Sequence, residues 1–180
     1  MTNPPLEHCP GCDARLPKSD GATHRYIGAS SACWEIFAAL SNGGEPPLAP
    51  APLNDLLRDA YAAQHPGGTP SDQAIQSVAV HLLTLYGVLV RGVAPENALW
   101  IRLRGVRDGS IPKHKRFAWL TPPSFAETLT VVEIVQASTP EARTELATQY
   151  IKSIWATWAH EHEKTISEWY GRFIVPEKIT

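Results

Sequence analysis

The amino-acid sequence predicts a mainly α protein, a compact helical bundle with an irregular N-terminal zinc-binding segment. Three observations lead there. Apolar residues recur at steps of three and four in several long stretches, so each would bury one helical stripe. Helix-capping residues stand at the starts of those stretches. Residues 1–29 carry Pro, Gly, Cys and His without a helical or strand period, and need something other than an amphipathic face to order them.

Taken in order, Ser30 and Ser31 cap a short helix through Trp34, Phe37 and Leu40, which Asn42-Gly43-Gly44 would stop. The proline-dense stretch 43–52 reads as an extended connector. Asn54 is the expected cap of a second helix through Leu56, Leu57, Ala60, Tyr61 and Gln64, ending at His65 because the residue before Pro66 avoids the helical region. Thr69, Pro70 and Asp72 predict the start of a third helix running to about Val90, with Ile75, Val78, Ala79, Leu82, Leu85, Tyr86 and Leu89 on its buried stripe. Between Trp100 and Val106 apolar residues alternate with Arg102 and Arg104, a pattern that fits a short strand or part of a helix equally well. Thr130 with Glu133 forms a capping-box signature, and Thr139-Pro140-Glu141 opens the longest helix, predicted to reach Tyr170 before Gly171.

A chain of 180 residues that is 43% hydrophobic, with six tryptophans, has the apolar surface to build one core. We therefore expect a single domain over 1–180, made of a zinc-binding segment (1–33), the connector (43–52) and a helical core (53–172). A formal net charge of -2 provides no global attraction to nucleic acid or acidic membranes, so neither is an expected partner. The longest apolar stretch, Val78 to Val90, is interrupted by His81, Thr84 and Gly87 and is too short to span a bilayer. With no apolar leader at the N-terminus, the expected location is the cytoplasm. The composition leaves the oligomeric state open.

Three cysteines without an export signal argue for a metal rather than a disulfide framework. Cys9-Pro10-Gly11-Cys12 has the two-residue gap of a zinc knuckle, whose turn lets both sulfurs meet one ion. His24 and Cys33 could complete a three-cysteine, one-histidine set, with His8 or His65 able to take the place of His24; the alternative for Cys33, beside Trp34 on a short helix, is a buried free thiol. A redox Cys-x-x-Cys normally follows a strand and opens a helix, and nothing before Cys9 promises a strand of useful length.

A second constellation is His65, His81 and His162, each from a different predicted helix. His162 falls in phase with Trp155, Trp158, Ile166 and Trp169, so it should face inward near His81 or His65, whereas His160 falls on the polar face with Ser153, Thr157 and Lys164. If the three converge they could hold a second metal with an open position, as in a catalytic site. Each alone reads as a satisfied core histidine. His160-Glu161-His162 lacks the four-residue histidine spacing of zinc proteases, and no phosphate loop or dinucleotide-binding glycine pattern occurs. Arg102, Arg104, Arg107, Lys113, Lys115 and Arg116, beside Trp100, Phe117 and Trp119, make a basic segment able to contact an anionic partner or simply a solvated loop.

The motifs Cys9-Pro10-Gly11-Cys12, His24-Arg25-Tyr26, Cys33-Trp34, Gln64-His65-Pro66-Gly67 and Gln76-Ser77-Val78-Ala79-Val80-His81-Leu82 occur in that order before the tryptophan-rich stretch Trp155 to Trp169. In these the chain resembles a bacterial family of uncharacterised proteins, over nearly its whole length. The family pattern has adjacent histidines in the last helix, where this chain has Glu161 between His160 and His162. The resemblance implies that the Cys/His groups and inward tryptophans are its recurring elements, and it names no reaction. The expected function is zinc binding by a helical protein with a histidine-lined pocket for a small molecule, as in a metal-dependent enzyme. The alternative is a non-enzymatic binding or regulatory module with a purely structural zinc and a basic partner-binding segment.

Overall fold

A computed structural model of the chain describes residues 5–41, 49–107 and 115–175. The expected stop at Asn42-Gly43-Gly44, most of the connector and Lys113 lie outside them. The elements are β1 (Leu6–His8), β2 (Arg15–Pro17), α1 (Ser31–Ser41), α2 (Leu53–Gln64), α3 (Asp72–Leu89), a 3-10 turn (Pro95–Asn97), α4 (Ala98–Arg107), α5 (Val131–Gln136) and α6 (Pro140–Phe173).

The mainly helical reading holds, and the ambiguous stretch after Trp100 resolves as the helix α4. Its face decides it: Ala98, Ile101 and Gly105, at helical spacing, turn toward α3, while Leu99, Trp100 and Leu103 point outward. A two-faced strand would have sent the two arginines to one side, whereas the helix directs Arg102 inward to an acid on α2. The N-terminal segment also differs from expectation, because Leu6 to His8 pairs antiparallel with Arg15 to Pro17 in register Leu6↔Pro17 and His8↔Arg15. So short a ladder has little stability of its own. It serves to fold the cysteine turn between its strands.

Helices α2, α3 and α6 pack together, with α4 against α3 and α5 against α6. Leu57, Tyr61, Leu82, Leu83, Leu85, Tyr150, Ile151, Ile154 and Trp158 are buried with almost no exposure. Two polar ties cross this core. The Trp158 indole donates to the Ala63 carbonyl at 3.0 Å, and the Tyr150 hydroxyl donates to Gln64 Oε1 at 2.8 Å. Both pin α6 to the C-terminal turn of α2, the turn that leads into His65.

The caps follow local chemistry closely. Thr130 and Glu133 form the expected capping box, and Thr139 Oγ1 accepts from the Ala142 amide. Helix α3 is capped by Ser71 rather than Thr69, its hydroxyl accepting from the Ala74 amide at 3.1 Å. Asn54 lies one residue inside α2, whose N-cap position is Pro52. Helix α6 continues through Gly171 to Phe173, because Phe173 is buried and packs on Phe117, so tertiary contact overrides the glycine stop.

Candidate metal centre

The turn between β1 and β2 brings Cys9 and Cys12 to one side. The Cys9 amide donates to the Ala14 carbonyl at 2.9 Å, the Asp13 amide donates to the Cys9 carbonyl at 2.8 Å, and Asp13 takes φ 61°, a left-handed conformation that aspartate tolerates. Helix α1 contributes Cys33 from its first turn, where Ser30 Oγ accepts from the Cys33 amide. Past the end of α2, His65 lies on the same face as Leu57 and Tyr61, at steps of four. The sulfurs of Cys9, Cys12 and Cys33 and a ring nitrogen of His65 all lie within 4.8 Å of one another. Every one of the four residues is buried.

The geometry suits a tetrahedral ion. With metal–sulfur bonds of about 2.3 Å and metal–nitrogen bonds of about 2.05 Å, a tetrahedron has edges of about 3.8 Å between sulfurs and about 3.6 Å between sulfur and nitrogen. Cys12 Sγ and Cys33 Sγ are 3.9 Å apart, and Cys33 Sγ is 3.6 Å from His65 Nε2. The tautomer is settled by the other ring nitrogen: His65 Nδ1 donates to the Tyr61 carbonyl at 2.8 Å, which leaves the Nε2 lone pair facing the sulfurs.

Charge at this cluster is constrained in a way a cation would relieve. Hydrogen bonding from Cys12, then from Cys33, holds the Cys9 thiol far below its ordinary range. Cys12 is driven far above it by its contacts with Cys33 and Cys9 and by burial. Cys33 is drawn down by Cys12 but raised more by Cys9 and by burial, and is pushed up to about 12. The neighbouring sulfurs and burial thus oppose the charged form of Cys12 and of Cys33. A divalent cation offsets that opposition and allows all three to ligate as thiolates.

The surroundings are built to match. The Ser30 amide donates to Cys9 Sγ at 3.4 Å. Burial, and then the charge of Cys33, hold the Tyr61 phenol well above its usual range, and its hydroxyl shares a hydrogen bond with Cys33 Sγ at 3.5 Å. The Tyr61 ring stacks on Phe37 at 3.8 Å and lies 4.1 Å from the His65 ring. Gly11 is required by close approach: a Cβ there would stand 2.3 Å from His65 Cδ2 and 3.0 Å from the Gln64 carbonyl. Gly67, with φ 80°, turns the chain after Pro66.

Of the four residues expected to bind metal, the structure brings Cys9, Cys12 and Cys33 together and seats His65, the alternative to His24, in the fourth place. His24 stands outside the group, its ring 4.5 Å from Tyr26 and 4.9 Å from Trp34. His8 lies at the hairpin rim, 2.7 Å from Asp13 Oδ1. The second constellation does not gather: among the described residues His65, His81 and His162 form no common ligand group. His81 Nδ1 bonds Asp59 on α2 at 2.7 Å. His162, its side chain 15% exposed, packs 5.5 Å from Trp158 as expected but donates from Nε2 to the Thr121 carbonyl at 2.9 Å. In the basic segment Arg116 is buried and donates to the Val106 carbonyl at 2.6 Å, and Arg104 lies 5.8 Å over the Trp100 ring.

Asp59 was not apparent as a site residue from the sequence. Its signal was available: Asp59 sits at helical spacing between Leu56 and Ala63, an acid inside an apolar stripe.

The model of DUF5946, a family of unknown function, matches residues 7–159, a span that includes all four buried donors. The chain belongs to this family. No curated protein and no solved structure matches it. The family therefore contributes no activity, and the chemistry of the site must be argued from its own atoms. Among the described residues no helix is long and apolar enough to cross a membrane.

Proposed function

We propose that the protein is a zinc-stabilised helical binding protein in which one structural zinc, held by Cys9, Cys12, Cys33 and His65, ties the N-terminal hairpin to α1 and α2. The observation that carries this reading is the burial of all four donors, drawn from three separate stretches of chain, within 4.8 Å of one another. Three thiolates and one imidazole in tetrahedral spacing favour zinc over hard cations, which prefer oxygen ligands. A catalytic zinc keeps a position open to substrate, whereas four protein donors fill this shell. The separate engagements of His81 and His162 further support a structural role over a shared catalytic metal. The need for reduced thiols supports the cytoplasm as location.

When bound, the ion supplies order. The hairpin has a three-residue ladder and contributes mainly Leu16 and its two cysteines to the core. Metal binding would then be coupled to folding of this segment. The test is elemental analysis with calorimetry on the purified chain and Cys12→Ala. One zinc per chain, with a lower zinc content and lower melting temperature in the variant, is the expected result. A variant retaining full zinc and wild-type stability would overturn the reading.

A further inference from the structure

A second buried constellation, separate from the cysteine group, is shared by α2, α3 and α4. Asp59, wholly buried on α2, accepts from His81 Nδ1 at 2.7 Å and stands 3.7 Å from Arg102 Nε on α4. Its Oδ2 and the Arg102 Nε are buried without a hydrogen-bond partner. His81 is partly open, its side chain 22% exposed. It forms one wall of a cleft of about 280 Å³ with Tyr26, Gln73, Gln76, Ser77, Val80 and Val106.

The lining has a consistent chemistry. It offers a phenol, a hydroxyl, two carboxamides and an imidazole, and no carboxylate among the described residues. Gln73 belongs to the first turn of an 18-residue helix, where the backbone dipole favours negative charge, and Gln76 and Ser77 to the next turn. Asp59 and Arg102 offset each other in formal charge, so a proton added to His81 leaves the group net positive. That proton must sit on Nε2, the nitrogen turned away from Asp59, because Nδ1 already donates to the acid. The volume falls just below the several hundred Å³ typical of drug-sized ligands and suits a small metabolite.

We propose that this cleft binds the oxyanion head of a small molecule, a carboxylate or a phosphate ester, with His81 taking up a proton on binding and donating from Nε2 to the anion. The assignment does not depend on the zinc site. The groups facing His81 are Asp59 from α2, with Asp55 adding negative charge beside it, Arg102 from α4, and His24 and Tyr26 from the segment before α1. Burial raises the pKa of Asp59, and the His81 and Arg102 charges oppose that rise. Burial, and then the charge of His81, hold His24 below the ordinary histidine range, which keeps it from competing as the cation. Helix α6 packs on α3 through Trp155 and Tyr170 against Tyr86, and sends no ion pair to His81 or Asp59 among the described residues.

The experiment is a titration of the zinc-loaded full chain, ¹⁵N-labelled at histidine, with inorganic phosphate and separately with acetate, at constant ionic strength in chloride. The expected result is a saturable shift of the His81 ring nitrogens toward the imidazolium form with at least one probe; the probe that acts distinguishes phosphate from carboxylate. Affinity should weaken by up to about tenfold per pH unit as the solution turns alkaline, the slope of one linked proton. His81→Gln, compared with wild type by isothermal titration calorimetry with the same probes, should lose binding by about tenfold or more and lose the pH dependence. Gln76→Glu, which places a carboxylate in the lining and leaves the dyad intact, should abolish the shift even if His81→Gln fails to fold. No saturable shift with either probe, or unchanged binding in Gln76→Glu, would overturn the proposal.

Discussion

Replacing His65 by Ala removes the one nitrogen donor from the cysteine cluster, and its effect can be separated into a metal-dependent and a metal-independent part. The imidazole is fully buried, holds the Tyr61 carbonyl through Nδ1 and lies 4.1 Å from the Tyr61 ring, so its loss destabilises the metal-free chain as well. The metal-dependent part is the informative one. Loss of a mere outer-shell partner weakens metal binding by about 10–100-fold, so loss of the ligand itself should cost at least about 100-fold. Where zinc is in excess, stabilisation grows as RT ln(1 + [L]/Kd), and a 100-fold weaker site forfeits about 2.7 kcal/mol. For a chain of this size each kcal/mol moves the melting temperature by about 2–4 °C, so the zinc-induced rise in Tm should shrink by roughly 5–11 °C. Differential scanning calorimetry with zinc and with chelator measures that rise, and elemental analysis measures occupancy. His24→Ala is the control, since its ring packs edge-on against Tyr26 and tilted against Trp34 outside the cluster. If His24→Ala loses the zinc-dependent rise and His65→Ala keeps it, the assignment of the fourth ligand is wrong.

Two further outcomes follow from the geometry. Gly11→Ala places a Cβ 2.3 Å from His65 Cδ2, so the knuckle must shift, and zinc competition should show an affinity at least about tenfold weaker; unchanged affinity would mean that the turn yields freely. His162→Ala should lower stability in urea by about 1–3 kcal/mol, leaving the Thr121 carbonyl without its donor, while exposed His160→Ala stays within about 0.5 kcal/mol. Neither change should alter zinc content, and loss of zinc in His162→Ala would restore it as a ligand.

The helices were legible because their information is local. Stripes such as Ile75, Val78, Leu82 and Leu85 and caps such as Thr130 with Glu133 act within a few residues of one another, and the structure reproduces them. The end of α6 was not, because Gly171 is an adequate stop until Phe173 finds Phe117. The nature of α4 was undecided for the same reason: its sequence alternates, and only the packing of Ile101 and Gly105 against α3 selects the helix.

The site divides along the same line. A Cys-x-x-Cys spacing is a property of one turn, so Cys9 and Cys12 stood out in the sequence as candidate metal ligands. Which histidine joins them depends on how α2 packs against α6. The ties from Trp158 to Ala63 and from Tyr150 to Gln64 hold the last turn of α2 where His65 Nε2 reaches Cys33. His24, much closer to the cysteines along the chain, is instead drawn to the Trp34 and Tyr26 rings. Asp59, His81 and Arg102 come from three helices and share no sequence spacing at all. By itself the sequence determined the helical class, the knuckle and the stripes, since each is written in residues that are neighbours in a turn. Tertiary structure alone decided the fourth donor and the pairing of a buried acid with His81, because both depend on where separately folded helices come to rest.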